Sequence, residues 1–219
     1  MIRKKGFTLA EVLITLGIIG IIAALTIPHL ISKWQRAAFN SAFKKNYSVL
    51  QNAINAASND EGLDCYAYEA KGAYVAQTND CPALIEYIAN TIGLQPIKTN
   101  RNKLYPSATE VLNKGGSSLS NSCSFPSRFS TPYVMKNGTY VYFFPNRSDY
   151  YGASLILDIN GESGPNKWGY DVYFMTMSNR NGMSVTLTDE YCSLVNKGGL
   201  FPRTILLNQT KNTNFDKLW

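Results

Sequence analysis

The stretch KKGFTLAEVLITLGIIGIIAALTIP constrains this chain more than any other. From Phe7 to Ile27 every residue is apolar or small, save one carboxylate, Glu11, and the two threonines Thr8 and Thr15 with Thr26 near the end. A helix of about 21 residues rises roughly 31 Å, the thickness of a bilayer core. A soluble domain of ordinary size has no use for so long an uninterrupted apolar run. A bilayer does. Glu11 then needs an explanation, because a charge deep in a span costs about 2.5–3.5 kcal/mol. Something must offset it.

Charge is concentrated at the same end. Residues 1–45 hold seven Lys/Arg and one Glu, which is the whole of the formal +6. Residues 46–219 hold fourteen basic and fourteen acidic residues and are neutral. The excess suits membrane anchoring, whereas a nucleic-acid surface on the remaining chain would need clustered Lys and Arg. Arg3, Lys4 and Lys5 abut the apolar run. A cleavable secretory signal has a shorter apolar core and a small-x-small site behind it. Here the run is long and no such site follows. Lys33, Arg36, Lys44 and Lys45 lie on the far side, yet the charges nearest the span favour a short cytoplasmic N-terminus.

Pro28 closes the run without starting a loop. Phe39, Phe43, Tyr47, Leu50 and Ile54 recur at spacings of four, four, three and four, a single apolar stripe on a helix. One helix is expected from about Phe7 to Ala57, kinked near Pro28, where the imino acid removes a hydrogen bond and crowds the preceding turn. Its first half is apolar all round. Its second half must pack on the rest of the chain.

Beyond residue 58 the pattern changes. CPALIEYIANTIGL (Cys81–Leu94) has helical spacing at Leu84, Ile85, Ile88 and Ile92, with Gly93 as the stop. PYVMKNGTYVYFF places Asn137-Gly138 between two runs rich in β-branched and aromatic residues, a hairpin signal. ASLILDING, VYFMTMS and MSVTLT follow as further strands. These give four or five antiparallel strands in chain order, packed on the amphipathic half of the first helix: an α+β fold. The expected divisions are 1–6, 7–28, 29–58, a mixed helix and loop region 59–131, and a sheet region with a C-terminal tail, 132–219. The tyrosines, including Tyr133, Tyr140 and Tyr142, read as strand and core packing rather than a sticky face.

Four cysteines, Cys65, Cys81, Cys123 and Cys192, stand at no zinc-ligand spacing. An even number on the exported side of a membrane suggests two disulfides, and proximity favours Cys65–Cys81 with Cys123–Cys192. Three connectivities are open to four cysteines, and four reduced thiols are the other reading.

LDINGESGPNKWGYDVYF sets Asp158, Asn160, Glu162, Asn166 and Asp171 in a glycine-rich loop between two strands. Calcium takes such oxygen ligands, and Asp158, Asn160 and Asp171 are the candidates to hold it. The opening Asp-x-Asn-Gly is like part of an EF-hand loop, but the closing Glu is missing. A purely structural turn, with Asp and Asn bonding their own backbone, accounts for the same residues and is the simpler expectation.

The N-terminal stretch KGFTLAEVLITLGIIGIIAALTIP resembles the signature of type IV pilins and type II secretion pseudopilins. The resemblance covers about 30 of 219 residues. It implies that a dedicated prepilin peptidase removes a basic leader between Gly6 and Phe7, and that the new amino group on Phe7 is methylated. It implies that Glu11 serves in assembly and that Pro28 kinks the helix. The fold implied is a long N-terminal helix laid on an antiparallel sheet. The partners implied are the bacterial inner membrane, the peptidase, identical or related subunits, and an assembly platform. The function implied is structural: a subunit of a secretion pseudopilus or a type IV pilus, its globular part on the periplasmic side. A minor pilin touching DNA or a surface at a filament tip is the alternative, which the neutral globular part disfavours for DNA. An enzyme is not expected. The single histidine, His29, lies at the membrane boundary, and no G-x-S-x-G, H-E-x-x-H or P-loop occurs. No cofactor is expected, calcium in the 158–171 loop being the one candidate.

Overall fold

A computed structural model describes residues 6–63, 65–70, 73–77, 81–97, 111–113, 132–144, 154–178, 186–188, 194–196 and 198–210. Helix α1, Leu9–Glu61, runs through Pro28 with helical backbone on both sides. It ends four residues beyond the expected Ala57. The stop is Gly62, at φ 64°, where Leu63 N–H turns back to the carbonyl of Ala57 at 3.1 Å. Glycine takes this left-handed conformation without the cost a Cβ would bring. The chain divides into two compact units, Met1–Ala38 and Phe39–Trp219.

Among the described residues of the first unit no large apolar side chain is buried: Phe7, Leu9, Leu13, Ile19 and Leu25 are all exposed. The second unit begins where the stripe begins. Phe43, Leu50 and Ile54 are fully buried, and Phe39 and Tyr47 pack against the same core. Helix α2, Cys81–Ile92, adds Leu84, Ile85 and Ile88 to that core, and Gly93 at φ 68° ends it. Leu94 N–H closes onto Ala89 C=O at 2.8 Å, the bond of a glycine-terminated helix. Cys65 and Cys81, the first residue of α2, form a disulfide, 16 residues apart in sequence. Closing that loop restricts the unfolded chain. Cys123 and Cys192 lie outside the described residues.

Strands β1 (Tyr66–Ala70), β2 (Ala73–Gln77), β3 (Gln95–Pro96), β5 (Tyr133–Val134), β6 (Tyr140–Phe144), β7 (Ser154–Asp158), β8 (Val172–Ser178) and β9 (Thr186–Thr188) form one sheet. Strands β5 to β9 pair antiparallel with their neighbours in chain order, the expected meander. A long N-terminal helix with this five-stranded antiparallel sheet is the α+β, pilin-like layout read from the sequence.

Three additions were not expected. The β1–β2 hairpin falls within the region read as helix and loop, and β1 joins β8 in parallel at Ala67 and Ser178. Strand β3 pairs with β5. A small second sheet pairs β4 (Val111–Asn113) with β10 (Leu194–Asn196). Their partners are distant in sequence, which no local pattern records. The last described helix is α3, Pro202–Leu206.

Successive residues of a strand face opposite sides. Leu155 and Leu157 enter the core beneath α1, while Tyr142, Ile156 and Phe174 form one cross-strand row on the other face. That row is buried as well, so all five positions of β7 are buried. SLILD reads as continuous rather than alternating for this reason.

The hairpin at Asn137-Gly138 is present, with a different turn from the two-residue type that Asn-Gly most often signals. Gly138 N–H bonds Met135 C=O at 2.9 Å, which centres the turn on Lys136 and Asn137, and Gly138 follows at φ 86°. This is a three-residue loop with a glycine bulge. Asn137 thereby turns its amide toward α1. Its Nδ2 donates to Asn46 Oδ1 at 2.8 Å, Asn46 Nδ2 donates to Thr139 Oγ1 at 2.8 Å, and Thr139 Oγ1 donates to Ile159 C=O at 3.0 Å. Asn46 and Thr139 are buried, so this chain of bonds fixes the helix register against the sheet where greasy contacts alone would tolerate slippage. Tyr47 OH donates to Leu187 C=O and Leu187 N–H donates to Gln51 Oε1, so helix side chains meet the β9 backbone. Lys44 Nζ donates to Asn208 Oδ1.

Candidate functional site

Two places hold the candidate site residues. The first is the start of α1. Gly6 and Phe7 precede the helix, Phe7 is 91% exposed, and no described atom would touch a Cβ built at Gly6. Both residues are exposed. Helix α1 is long and apolar enough to cross a membrane.

Glu11 is not a bare charge. Its Oε2 accepts the backbone N–H of Thr8 at 2.8 Å and the Thr8 hydroxyl at 2.8 Å, while Glu11 N–H donates to Thr8 Oγ1 at 3.3 Å. This is a capping box: the first-turn carboxylate and the N-cap hydroxyl satisfy each other's backbone donors. The helix N-terminus, which carries partial positive charge, favours an anion at this position. Thr8 was missed as a functional residue, although T-x-x-E ahead of an apolar run is a sequence signal for it. Part of the cost of Glu11 is thus offset within the chain. The carboxylate lies one turn from Phe7 and shares with it a shallow apolar cleft that Val12 and Thr15 complete.

The second place is the turn between β7 and β8. Asp158 ends β7, and Asp171 immediately precedes β8. Both are buried, at 1% and 0% exposure. Asp171 accepts the N–H of Asn166 on Oδ2 and that of Lys167 on Oδ1, each at 2.8 Å. The N–H groups of Asn160 and Gly161 bond the Asp158 carboxylate. Asn160 Nδ2 donates to the carbonyls of Ser163 and Gly164 at 2.7 and 2.8 Å. The structural-turn expectation is therefore met in its bonding: both aspartates accept from their own loop. It does not use every oxygen. Oδ1 of Asp158 and Oδ1 of Asn160 are shielded from solvent and accept no hydrogen bond.

The electrostatics follow from this crowding. Burial first, and repulsion from Asp171 second, push the Asp158 carboxyl up to about 8 against the pull of its two N–H donors. Burial also raises Asp171, opposed by the N–H groups of Lys167 and Asn166. Glu162, in the same loop, is exposed. Among the described residues no three His, Cys, Asp or Glu side chains gather, so any cation here must also use amide and backbone oxygens.

The loop itself is held from outside. Trp168 N–H donates to Asn196 Oδ1 at 2.7 Å, Asn196 N–H donates to Trp168 C=O at 2.9 Å, and Leu200 N–H donates to Gly169 C=O at 2.8 Å. Trp168 is fully buried.

No curated protein and no solved structure matches the chain. Residues 1–27 match the family model of the prokaryotic N-terminal methylation motif, a finding consistent with the type IV pilin and pseudopilin family.

Proposed function

We propose that this chain is a structural subunit of a type II secretion pseudopilus or a type IV pilus. The observation that carries it is α1. An exposed apolar helix carries a capped carboxylate close behind the exposed Gly6 and Phe7, inside a methylation motif. The protein inserts once in the bacterial inner membrane, with residues 1–6 cytoplasmic and the globular unit periplasmic. Prepilin peptidase removes the leader after Gly6, and Phe7 receives the methyl group. Pro28 bends the helix. The assembly platform then draws subunits into a filament through their apolar helices.

Glu11 sets the register. In the filament its carboxylate meets the Phe7 ammonium of a neighbouring subunit, and a charge pair away from water is costly to break. Glu11→Val should leave insertion undiminished, since losing a charge eases it by up to about 2.5–3.5 kcal/mol. The polymerised fraction should fall roughly tenfold to a hundredfold, as loss of a charged hydrogen bond of about 1.5–3 kcal/mol implies. Quantifying sheared or cross-linked filaments against total membrane protein measures this. Equal assembly by variant and parent would remove Glu11 from the mechanism.

A further inference from the structure

We propose that residues 27–36 of α1 form a collar that docks on acidic phospholipid headgroups, at the bilayer face from which the helix emerges. The proposal rests on the reading of α1 as a membrane span and adds a lipid class to it. Ile27, Ile31 and Trp34 follow one another at spacings of four and three and so share one side of the helix. All three are exposed, Trp34 at 69%. His29, Lys33 and Arg36 repeat the same spacing two residues on, about 200° further round the axis, on the other side. His29 and Lys33 are exposed and Arg36 is half-buried. No Asp or Glu occurs between Glu11 and Asp60, so α1 supplies no carboxylate near this basic stripe.

Position and charge select the occupant. With Phe7 to Ile27 filling the apolar core, the next turns of α1 fall in the headgroup layer. Helical side chains lean toward the N-terminus, which here lies across the membrane. Lys33, Trp34 and Arg36 therefore lean back onto the bilayer the helix has just left. An indole suits that depth, its ring against the acyl boundary and its N–H toward water. Lysine and arginine lay their apolar stems along the same layer and reach phosphate oxygens with their charged ends. His29 carries an N–H donor in either protonation state. A second copy of this chain would oppose the basic stripe with an identical one. An acidic lipid meets both stripes at once, its chains on the apolar side and its phosphate on the basic side. The collar holds the unassembled subunit at one depth, and entry into a filament exchanges those lipids for neighbouring helices.

The test is fluorescence of the full chain in equimolar vesicles of phosphatidylcholine and phosphatidylglycerol. Bromine, a contact quencher of tryptophan, is carried near the headgroup end of the chains of one lipid or of the other. Trp34→Phe is measured in parallel, so that Trp168 and Trp219 cancel and the difference reports Trp34 alone. Both lipids should quench Trp34. Brominated phosphatidylglycerol should do so more strongly, by up to about fivefold for each basic side chain, and added salt should weaken that preference. The double variant Lys33→Gln, Arg36→Gln should keep the quenching and lose the preference. All three proteins should float with the vesicles, because the span anchors them. Equal quenching by the two lipids, a preference that survives in the double variant, or no Trp34 signal in a chain that floats would overturn the collar and leave the span standing. Quenching that falls as the protein-to-lipid ratio rises would overturn it in favour of a second copy on this face. A chain that does not float would remove the span, and the collar with it. None of these outcomes depends on whether filaments form.

Discussion

Phe43→Ala is expected to destabilise the globular unit by about 3–5 kcal/mol, the usual cost of emptying a buried phenylalanine site. The side chain is fully buried on the amphipathic half of α1. Its ring lies 4.3 Å, centroid to centroid, from that of Tyr173 on β8 and 6.2 Å from that of Tyr47. The substitution therefore removes apolar burial, an aromatic pair, and the wedge that holds helix on sheet. The neighbours cannot close the gap cheaply, because Asn46 is fixed to the hairpin by its hydrogen bonds. Thermal unfolding of the full chain in micelles should show a fall of roughly 6–20 °C. Trp34→Ala, at an exposed residue of the first unit, is the control and should change stability by no more than about 0.5 kcal/mol. A loss below about 1 kcal/mol at Phe43 would contradict packing of this helix face on the sheet.

Gly169→Ala should cost about 2–6 kcal/mol, summing a strained backbone and an overpacked contact. Gly169 has φ 76°, where an L side chain is unfavourable. A Cβ there would also stand 2.7 Å from Val195 Cγ2, and 2.8 and 2.9 Å from the backbone oxygen and nitrogen of Leu200. Two of those three contacts are backbone atoms, which cannot rotate away. The alanine must push the 158–171 turn off the segment that clamps it. Gly138→Ala separates the two effects. Its φ is 86°, yet nothing would lie within 4 Å of the new Cβ, so only the conformational cost of about 1–2 kcal/mol applies. Chemical denaturation of both variants should rank Gly169 well above Gly138. Equal losses would mean that the close approach to Leu200 carries no energy.

Local patterns made half of this molecule legible. The stripe from Phe39 to Ile54, the helix stop at Gly93 and the strands of the meander all rest on spacings within a few residues, and the structure has them in place. What escaped depends on distant partners. The β1–β2 hairpin joins the sheet through a parallel contact with a strand more than a hundred residues away, and β4 finds β10 across 81 to 85 residues. Asn46 shows the same limit on a smaller scale. It sits on the apolar side of α1 between Phe43 and Leu50, where a polar residue signals a buried bond, but its partners Asn137 and Thr139 belong to a remote hairpin. At the N-terminus the T-x-x-E spacing is a local signal for the capping box that Thr8 and Glu11 form. In the 158–171 turn the residue types showed that oxygen ligands are gathered there. Burial of both aspartates and the two oxygens left without donors needed three dimensions.

The central claim is that Gly6–Phe7 is a prepilin cleavage site in a filament subunit. Intact-mass and N-terminal peptide analysis of the protein, extracted from the membranes of cells with an active prepilin peptidase, tests it most directly. The account predicts a chain that begins at Phe7 and carries one methyl group on its amino nitrogen. A chain that still begins at Met1, or one cut behind the apolar run as a secretory signal would be, would contradict it.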